Sequence, residues 1–271
     1  MGVTTDRRSI VRFVDGHGDA RADAIAVESP LTILLDDEVL VTTMRTPGHD
    51  LDLAAGWLVN ESGVRRPDDI ARMAAFSSAS DDDVDTVRVH LPADVRPPRA
   101  RAFVTTSACG VCSADILSGV APPEGVLHSP TWRVAVDQVA PLLDRMRAQQ
   151  RIFDLTGALH AAALATADSE LVCVREDVGR HNAVDKVVGH ALLQDMLPLT
   201  DHLLLVSGRV SYEVVHKALT AGVAGIAAVS GPTTLAIDLA RRFDLVLIGF
   251  ARDRRLNVYS GADQVVGGAD S

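Results

Sequence analysis

A chain of 271 residues, 47% of them hydrophobic, can bury a substantial core as one large domain or two unequal ones. Its net charge of −10 excludes a general nucleic-acid coat, whose affinity comes from Lys and Arg neutralising phosphates, but leaves room for a local basic pocket for one anionic small molecule. Three cysteines make no disulfide framework, the start MGVTTDRRSIVRFV lacks the apolar core of a secretory signal, and no apolar run reaches the roughly 18 residues of a membrane span; the expectation is a cytoplasmic protein with reduced thiols, bound neither to nucleic acid nor to a membrane.

Residues 1–22 form a segment whose order the sequence leaves open. From 23 to 104 the pattern is mixed: LTILLDDEVLVTTM has two β-rich runs around DDE and predicts a hairpin, DLDLAAGWLVNESG predicts a short helix with an apolar face, and DTVRVHL alternates like a strand. SSASDDDVD (77–85) and PADVRPPRA (92–100) are rich in turn formers and like charges and predict exposed loops. A CxxC loop and linker occupy 105–130.

Residues 131–271 alternate helices with short apolar strands. VDQVAPLLDRMRAQQ and ALHAAALA are helix candidates; LVCV, LLLV, IAAV and LVLI predict buried strands; AVDKVVGHALLQ, SYEVVHKALTAG and TLAIDLARRF lie between them as helices. This predicts an α/β fold with a sheet covered on both faces, whose ligand crevice lies beyond the carboxyl ends of the strands.

The polar chemistry sits at those ends. LVCV runs into REDVGRHN with Arg180, His181 and Asn182; LLLV into Ser207, Gly208 and Arg209; IAAV into Ser230 and Gly231; LVLI into Phe250, Ala251, Arg252, Asp253, Arg254 and Arg255. Each alone is compatible with ordinary turn residues. Together, small residues that let backbone approach a ligand, helix-opening N–H groups and arginines favour a pocket for a phosphorylated or otherwise anionic ligand. Glu213, His216 and Lys217 fit the polar face of a helix.

TTSACGVCSADIL places Cys109 and Cys112 two residues apart, and four readings compete. A structural zinc site lacks two further ligands, since Cys173 lies inside an apolar strand. A redox dithiol needs its thiolate at a helix start, which Ser113 could cap. Buried core thiols fit poorly with so small and polar a segment. A nucleophilic or sulfur-bearing thiol fits it well, because presenting a persulfide requires exposure and a pliant backbone such as Gly110 supplies. Nucleoside deaminases suggest another use of the same parts, a helix-borne His with a CxxC on an α/β sheet; here, however, the cysteines precede His160, and the position of the acid/base glutamate is Ala162. His160 is then either an ordinary helix histidine or a proton donor and orienter beside a ligand.

The set MRTPG, CGVC, TGALHAAAL, REDVGRHNAVDKVVG, SGRVSYEVVHKAL, SGPTTLAIDLA and GFARDRRLNVYSG, spread over residues 28–261, resembles the formate dehydrogenase accessory sulfurtransferase family, FdhD. The resemblance implies a cytidine-deaminase-like α/β domain and a homodimer, beside the smaller mixed α+β N-terminal part and the mobile CxxC loop read from the residues. It implies a sulfurtransferase that takes persulfide sulfur from a cysteine desulfurase and passes it to molybdenum in the bis(molybdopterin guanine dinucleotide) cofactor needed by formate dehydrogenase. Cys109 matches the family's persulfide cysteine, with Cys112 as companion, and Phe250–Arg255 its cofactor-binding segment. The guanine-nucleotide cofactor is thus expected as substrate, with no tightly held metal of the protein's own. A cofactor-binding chaperone without sulfur chemistry and a zinc hydrolase stand as alternatives. Two positions depart from the family pattern: Ser113 replaces the second Gly of its CGxCG, and Ala158 the second Gly of its TGG.

Overall fold

The computed structural model describes residues 3–77, 84–95, 97–98, 104–105 and 132–267. Cys109, Cys112 and Ser113 lie outside the described residues, as does most of the predicted 105–130 loop.

The first element is an antiparallel ribbon, β1 (Thr5–Val14) and β2 (His17–Ala26), which forms its own two-stranded sheet and covers the segment whose order the sequence left open. The predicted hairpin follows as β3 (Ser29–Leu35) and β4 (Glu38–Arg45), and the predicted helix as α1 (Asp50–Ser62). Strands β5 (Arg72–Phe76), β6 (Asp85–His90) and β7 (Val104–Thr105) complete a five-stranded sheet in the order β5-β6-β3-β4-β7. Its apolar face, with Leu31, Ile33, Val87 and Val89, turns onto α1 and joins the larger core.

The second sheet has the order β10-β9-β11-β12-β13-β14. Its strands are β9 (His160–Ala165), β10 (Leu171–Asp177), β11 (Leu203–Val206), β12 (Gly225–Ala228), β13 (Val246–Arg252) and β14 (Arg255–Ser260), after a short β8 (Val134–Ala135) that pairs with β15 (Val265–Val266). Pairing directions make β10 to β13 mutually parallel, with β9 and β14 opposed to them. Leu203–Val206 and Gly225–Ala228 are buried throughout, which is why they read as continuous apolar runs without alternation. Four helices lie against this sheet as expected: α2 (Val136–Ala148) on one face, and α4 (Arg180–Leu193), α5 (Tyr212–Thr220) and α6 (Thr234–Arg242) on the other. A short α3 (Arg151–Thr156) follows α2.

ALHAAALA is a strand, not the expected helix. His160–Ala165 is a central strand between β10 and β11, buried from Ala161 on, and an alanine-rich run buried on both faces has no period by which to tell helix from strand. Its antiparallel direction brings His160, its first residue, to the edge where the parallel strands end.

The two sheets share one core through α1 and α4, which cross at glycines. A Cβ at Gly56 of α1 would meet Asp185 O at 1.9 Å, and one at Gly189 of α4 would meet Asp52 O at 1.8 Å. Only glycine lets the two backbones approach so closely.

Candidate functional site

The junction of the two sheets is stitched by REDVGRHNAVDK and MRTPG. The Asp177 carboxylate, fully buried at the end of β10, accepts from the N–H of Thr46 (3.2 Å), the N–H of Gly179 (2.8 Å) and the Asn182 amide (3.2 Å), and pairs with the Lys186 ammonium at 2.7 Å. Lys186 also donates to the carbonyls of Thr46 (2.9 Å) and Glu176 (3.2 Å), and the N–H of Val178 donates to the Thr46 hydroxyl (3.1 Å). Asn182 gives its amide to Met44 O (2.8 Å) as well as to Asp177, so this candidate ligand group is already engaged inside the protein. Arg45, fully buried, is held by both oxygens of Asp50 and by Asp85 at 2.6 Å, fixing the end of β4. The whole arrangement anchors the loop that opens α4.

That anchoring presents Arg180 and His181 at the crevice edge. His160 pairs with Asp177 across β9 and β10, while Ser207 binds Ala161 twice: its N–H donates to Ala161 O (3.0 Å) and its hydroxyl accepts from Ala161 N–H (2.9 Å). The β11 turn thereby lies against His160, whose Nδ1 would be 3.2 Å from a Cβ added at Gly208. Burial, then Arg180 and Arg209, lower the His160 pKa from its ordinary value, with Asp177 opposing them. His181, 8% exposed, is pushed down to about 3 by burial first and then by Arg180, Lys217 and His160. Both imidazoles are neutral at neutral pH in a neighbourhood rich in positive charge. Arg180 keeps a buried Nε with no hydrogen-bond partner among the described residues.

The other two strand ends meet at Phe250. Its N–H donates to Ser230 O (3.2 Å), it has φ of +52°, and its ring lies over Gly231, where a Cβ would come within 2.6 Å of the ring. This explains the small residue in SGP by a close approach. The Arg252, Asp253, Arg254 and Arg255 cluster does not follow a last strand, as the sequence suggested; it forms the tip of the β13–β14 hairpin, with all four side chains exposed and Arg252 opposite Arg255. The strand RLNVYS gives no clear signal in the sequence because its polar and apolar residues alternate weakly.

On the α2 face, Ser207, Val229 and Ala251 floor a cavity of about 570 Å³ walled by Met146 and Phe153. His160 and Arg252 also line it, so the ends of β9, β11 and β13 border the cavity. Glu176 holds the cavity wall from the neighbouring strand end, its carboxylate accepting from the N–H groups of Ile152 (3.0 Å) and Phe153 (2.8 Å) at the start of α3. Ala158 is exposed beside the cavity, where its methyl group has room. The structure therefore gathers His160, Arg180, His181, Ser207, Gly208 and Arg209 at one edge, with Ser230, Gly231, Phe250 and Ala251 along the next strand ends. Among the described residues, no helix is long and apolar enough to cross a membrane.

The chain matches the FdhD/NarQ family over residues 26–266. It is 47% identical to the sulfur carrier protein FdhD of Streptomyces coelicolor over 98% of this chain and 97% of that one. Identity to the sulfur carrier protein FdhD of Sulfolobus acidocaldarius is 37%, over 94% of this chain and 96% of that one. The crystal structure of a Desulfotalea psychrophila protein, named as a formate dehydrogenase accessory protein, has the same fold, with a TM-score of 0.78 at 21% identity, covering 97% of this chain and 100% of that one.

Proposed function

Since the chain belongs to the FdhD/NarQ family, we propose that it is a cytoplasmic sulfur carrier acting as a sulfurtransferase, with bis(molybdopterin guanine dinucleotide) molybdenum cofactor as its substrate and formate dehydrogenase as the enzyme served. The Cys109 thiolate attacks the outer sulfur of a cysteine desulfurase persulfide. A Cys109 S–S bond forms, the donor's S–S bond breaks, and the donor leaves as thiolate. In the second transfer the Cys109 S–S bond breaks and Cys109 returns as thiolate, while the outer sulfur takes two electrons from the molybdenum of the bound substrate, which is oxidised by two electrons as it gains the sulfur as sulfide. Cys112, close by in the sequence, can attack the persulfide and release or protect its sulfur. A deaminase-like frame working as a homodimer is part of this reading.

The observation that carries it is the direction of β7. Val104 and Thr105 pair in parallel with Thr42 and Thr43 of β4, so β7 runs toward the level of Met44–Thr46, the segment bound to Asp177, Asn182 and Lys186. Cys109 follows Thr105 by four residues, which reach at most about 14 Å when extended. That short separation in the chain supports reading Cys109 as the thiol that serves the crevice. There the loop N–H groups and arginines at 207–209, 230–231 and 250–255 hold the anionic parts of the cofactor, and the 570 Å³ cavity receives part of its body.

Sulfur loading tests the proposal. With a cysteine desulfurase and cysteine, the intact protein gains the mass of one sulfur atom, the gain is absent in Cys109→Ala, and that variant fails to activate formate dehydrogenase. A Cys109→Ala protein that still loads sulfur and still activates the enzyme overturns it. The outcome in which neither cysteine is needed for activation, yet the cofactor still binds, is the chaperone reading.

A further inference from the structure

Gln150 stands at the N-cap position of α3, yet its side chain caps nothing. The capping is done from the neighbouring strand, where the Glu176 carboxylate takes the N–H groups of Ile152 (3.0 Å) and Phe153 (2.8 Å). The backbone of Gln150 is committed as well, its N–H donating to Arg147 O (3.1 Å) and its carbonyl accepting from the N–H of Asp154 (3.0 Å). Its side-chain amide makes no hydrogen bond among the described residues, although the residue is only 2% exposed and lines the cavity of about 570 Å³. A buried amide left unpaired in this way is costly until something in the cavity completes it.

The other lining residues narrow what that something is. The Phe153 ring lines the cavity with the Arg147 guanidinium 4.6 Å from its centroid, and Arg147 is itself held by Asp154 at 2.6 Å. Ring and guanidinium offer planar surface on which a heterocycle stacks, and Leu143 and Met146 add apolar contact. Asp144 lines the cavity too, exposed and in no ion pair among the described residues. Gln150 presents one amino donor and one carbonyl acceptor whichever way its amide is turned, whereas the Asp144 carboxylate only accepts. Acceptors thus outnumber donors, and the complementary ligand edge carries one acceptor and two adjacent donors. A 2-aminopyrimidinone has that edge, a ring carbonyl followed by a ring N–H and an amino group, and guanine and pterin both contain it. Adenine does not, since its amino group lies beside a bare ring nitrogen.

We propose that the cavity reads the 2-aminopyrimidinone edge of its ligand and that Gln150 is the residue that sets this specificity. The Gln150 amide donates to the ring carbonyl and its carbonyl accepts from the ring N–H, while the Asp144 carboxylate accepts from the amino group. The heterocycle stacks on the Phe153 and Arg147 wall, which Glu176 holds in place through the start of α3. Leaving the capping of α3 to Glu176 is what frees Gln150 for the ligand. This inference rests on the proposed cofactor-binding role of the site and adds which chemical edge of the cofactor the cavity holds.

The test titrates the full-length protein with GDP, IDP, ADP and 6-hydroxymethylpterin by calorimetry. Wild-type protein is expected to hold GDP at least about tenfold more tightly than ADP, with IDP, which keeps the carbonyl and ring N–H but lacks the amino group, in between. Gln150→Leu should weaken GDP by about tenfold and narrow its advantage over ADP, and Asp144→Asn should weaken GDP while leaving IDP as it was. The two heterocycles of the cofactor are told apart by which of GDP and the pterin loses affinity in Gln150→Leu: the nucleotide end, the pterin end or, where both do, either end occupies the cavity. Equal affinity for GDP and ADP together with no binding of the pterin overturns the inference on the wild-type protein alone. Unchanged affinities in a folded Gln150→Leu variant, with folding checked by circular dichroism, overturn it as well. Neither result touches sulfur loading on Cys109, so the proposed function stands or falls by its own test.

Discussion

Lys186 and Asp177 form an ion pair of 2.7 Å with side chains 1% and 0% exposed. It ties the end of β10 and the start of α4 to Thr46 of the N-terminal half, because both members also bind that residue. Removing one member leaves a buried charge without its partner. Lys186→Met is expected to destabilise the protein by about 3–5 kcal/mol, while Lys186→Met combined with Asp177→Asn recovers part of the loss. Urea unfolding of the two single variants and the double variant measures the coupling. If the single and double variants lose the same stability, the pair is not the contact that matters.

Helix glycines usually reward replacement by alanine, by about 1 kcal/mol at an open position. At Gly56 and Gly189 the sign reverses, because the added methyl group would lie at 1.9 Å and 1.8 Å from a carbonyl oxygen of the facing helix. Backbone cannot yield there as a side-chain tip would. Gly56→Ala and Gly189→Ala are each expected to lose at least about 1–3 kcal/mol, the range for overpacking, and to reduce the yield of folded protein. Thermal unfolding or soluble expression against wild type reads this out.

Much of the fold is legible in the sequence, for a physical reason. Leu203–Val206, Gly225–Ala228 and Val246–Ile248 are buried on both faces, so their uniform apolarity marks them as sheet interior, and the polar residues just beyond them mark the crevice. His160–Ala165 misleads because alanine serves helix and buried strand alike. The β1–β2 ribbon gives little signal because nearly every residue in it is exposed and no buried face imposes a pattern. Within the site, the role of Thr46 and the pairing of Ser211 with His181 are invisible in the sequence: the partners are 131 and 30 residues apart, and only the strand order brings them together. Asn182 reads as a ligand group from its place after the strand, yet its amide faces Met44 and Asp177.

Glu176 makes a narrower prediction. Its two oxygens take the N–H groups of Ile152 and Phe153, which a short helix cannot satisfy internally. Glu176→Ala is expected to cost about 1 kcal/mol, as the loss of a helix cap does, and to loosen the cavity wall. Hydrogen exchange should accelerate at residues 151–156 while α4 is little affected. Equal acceleration in both would mean that Glu176 supports the whole junction.

The depressed histidines fix a pH dependence. His181 has a folded pKa of about 3, below the ordinary value of a histidine, and His160 and His190 are lowered as well. Below about pH 6.5 the unfolded chain binds protons that the folded chain refuses, so stability falls as pH drops, by up to about 1.4 kcal/mol per pH unit for each such group. The window runs from about pH 6.5 down toward the folded pKa. Urea unfolding at stepped pH should show this slope, and His181→Gln should flatten it. An unchanged slope in that variant would place the effect on the other two histidines.

Cys173 supplies the last expectation. It is buried in β10, and burial pushes its thiol up to about 11, with Asp52 adding to the shift and Arg175 opposing it. The thiolate is the nucleophile, so at neutral pH this cysteine is neither accessible nor ionised. Iodoacetamide should leave Cys173 unmodified in the native protein and label it fully in denaturant, as read by peptide mass mapping. Sulfur loading should likewise bypass it, so Cys173→Ser protein gains sulfur as wild type does. Native labelling of Cys173 at the rate of an exposed thiol would contradict its burial and reopen the question of which cysteine carries the sulfur.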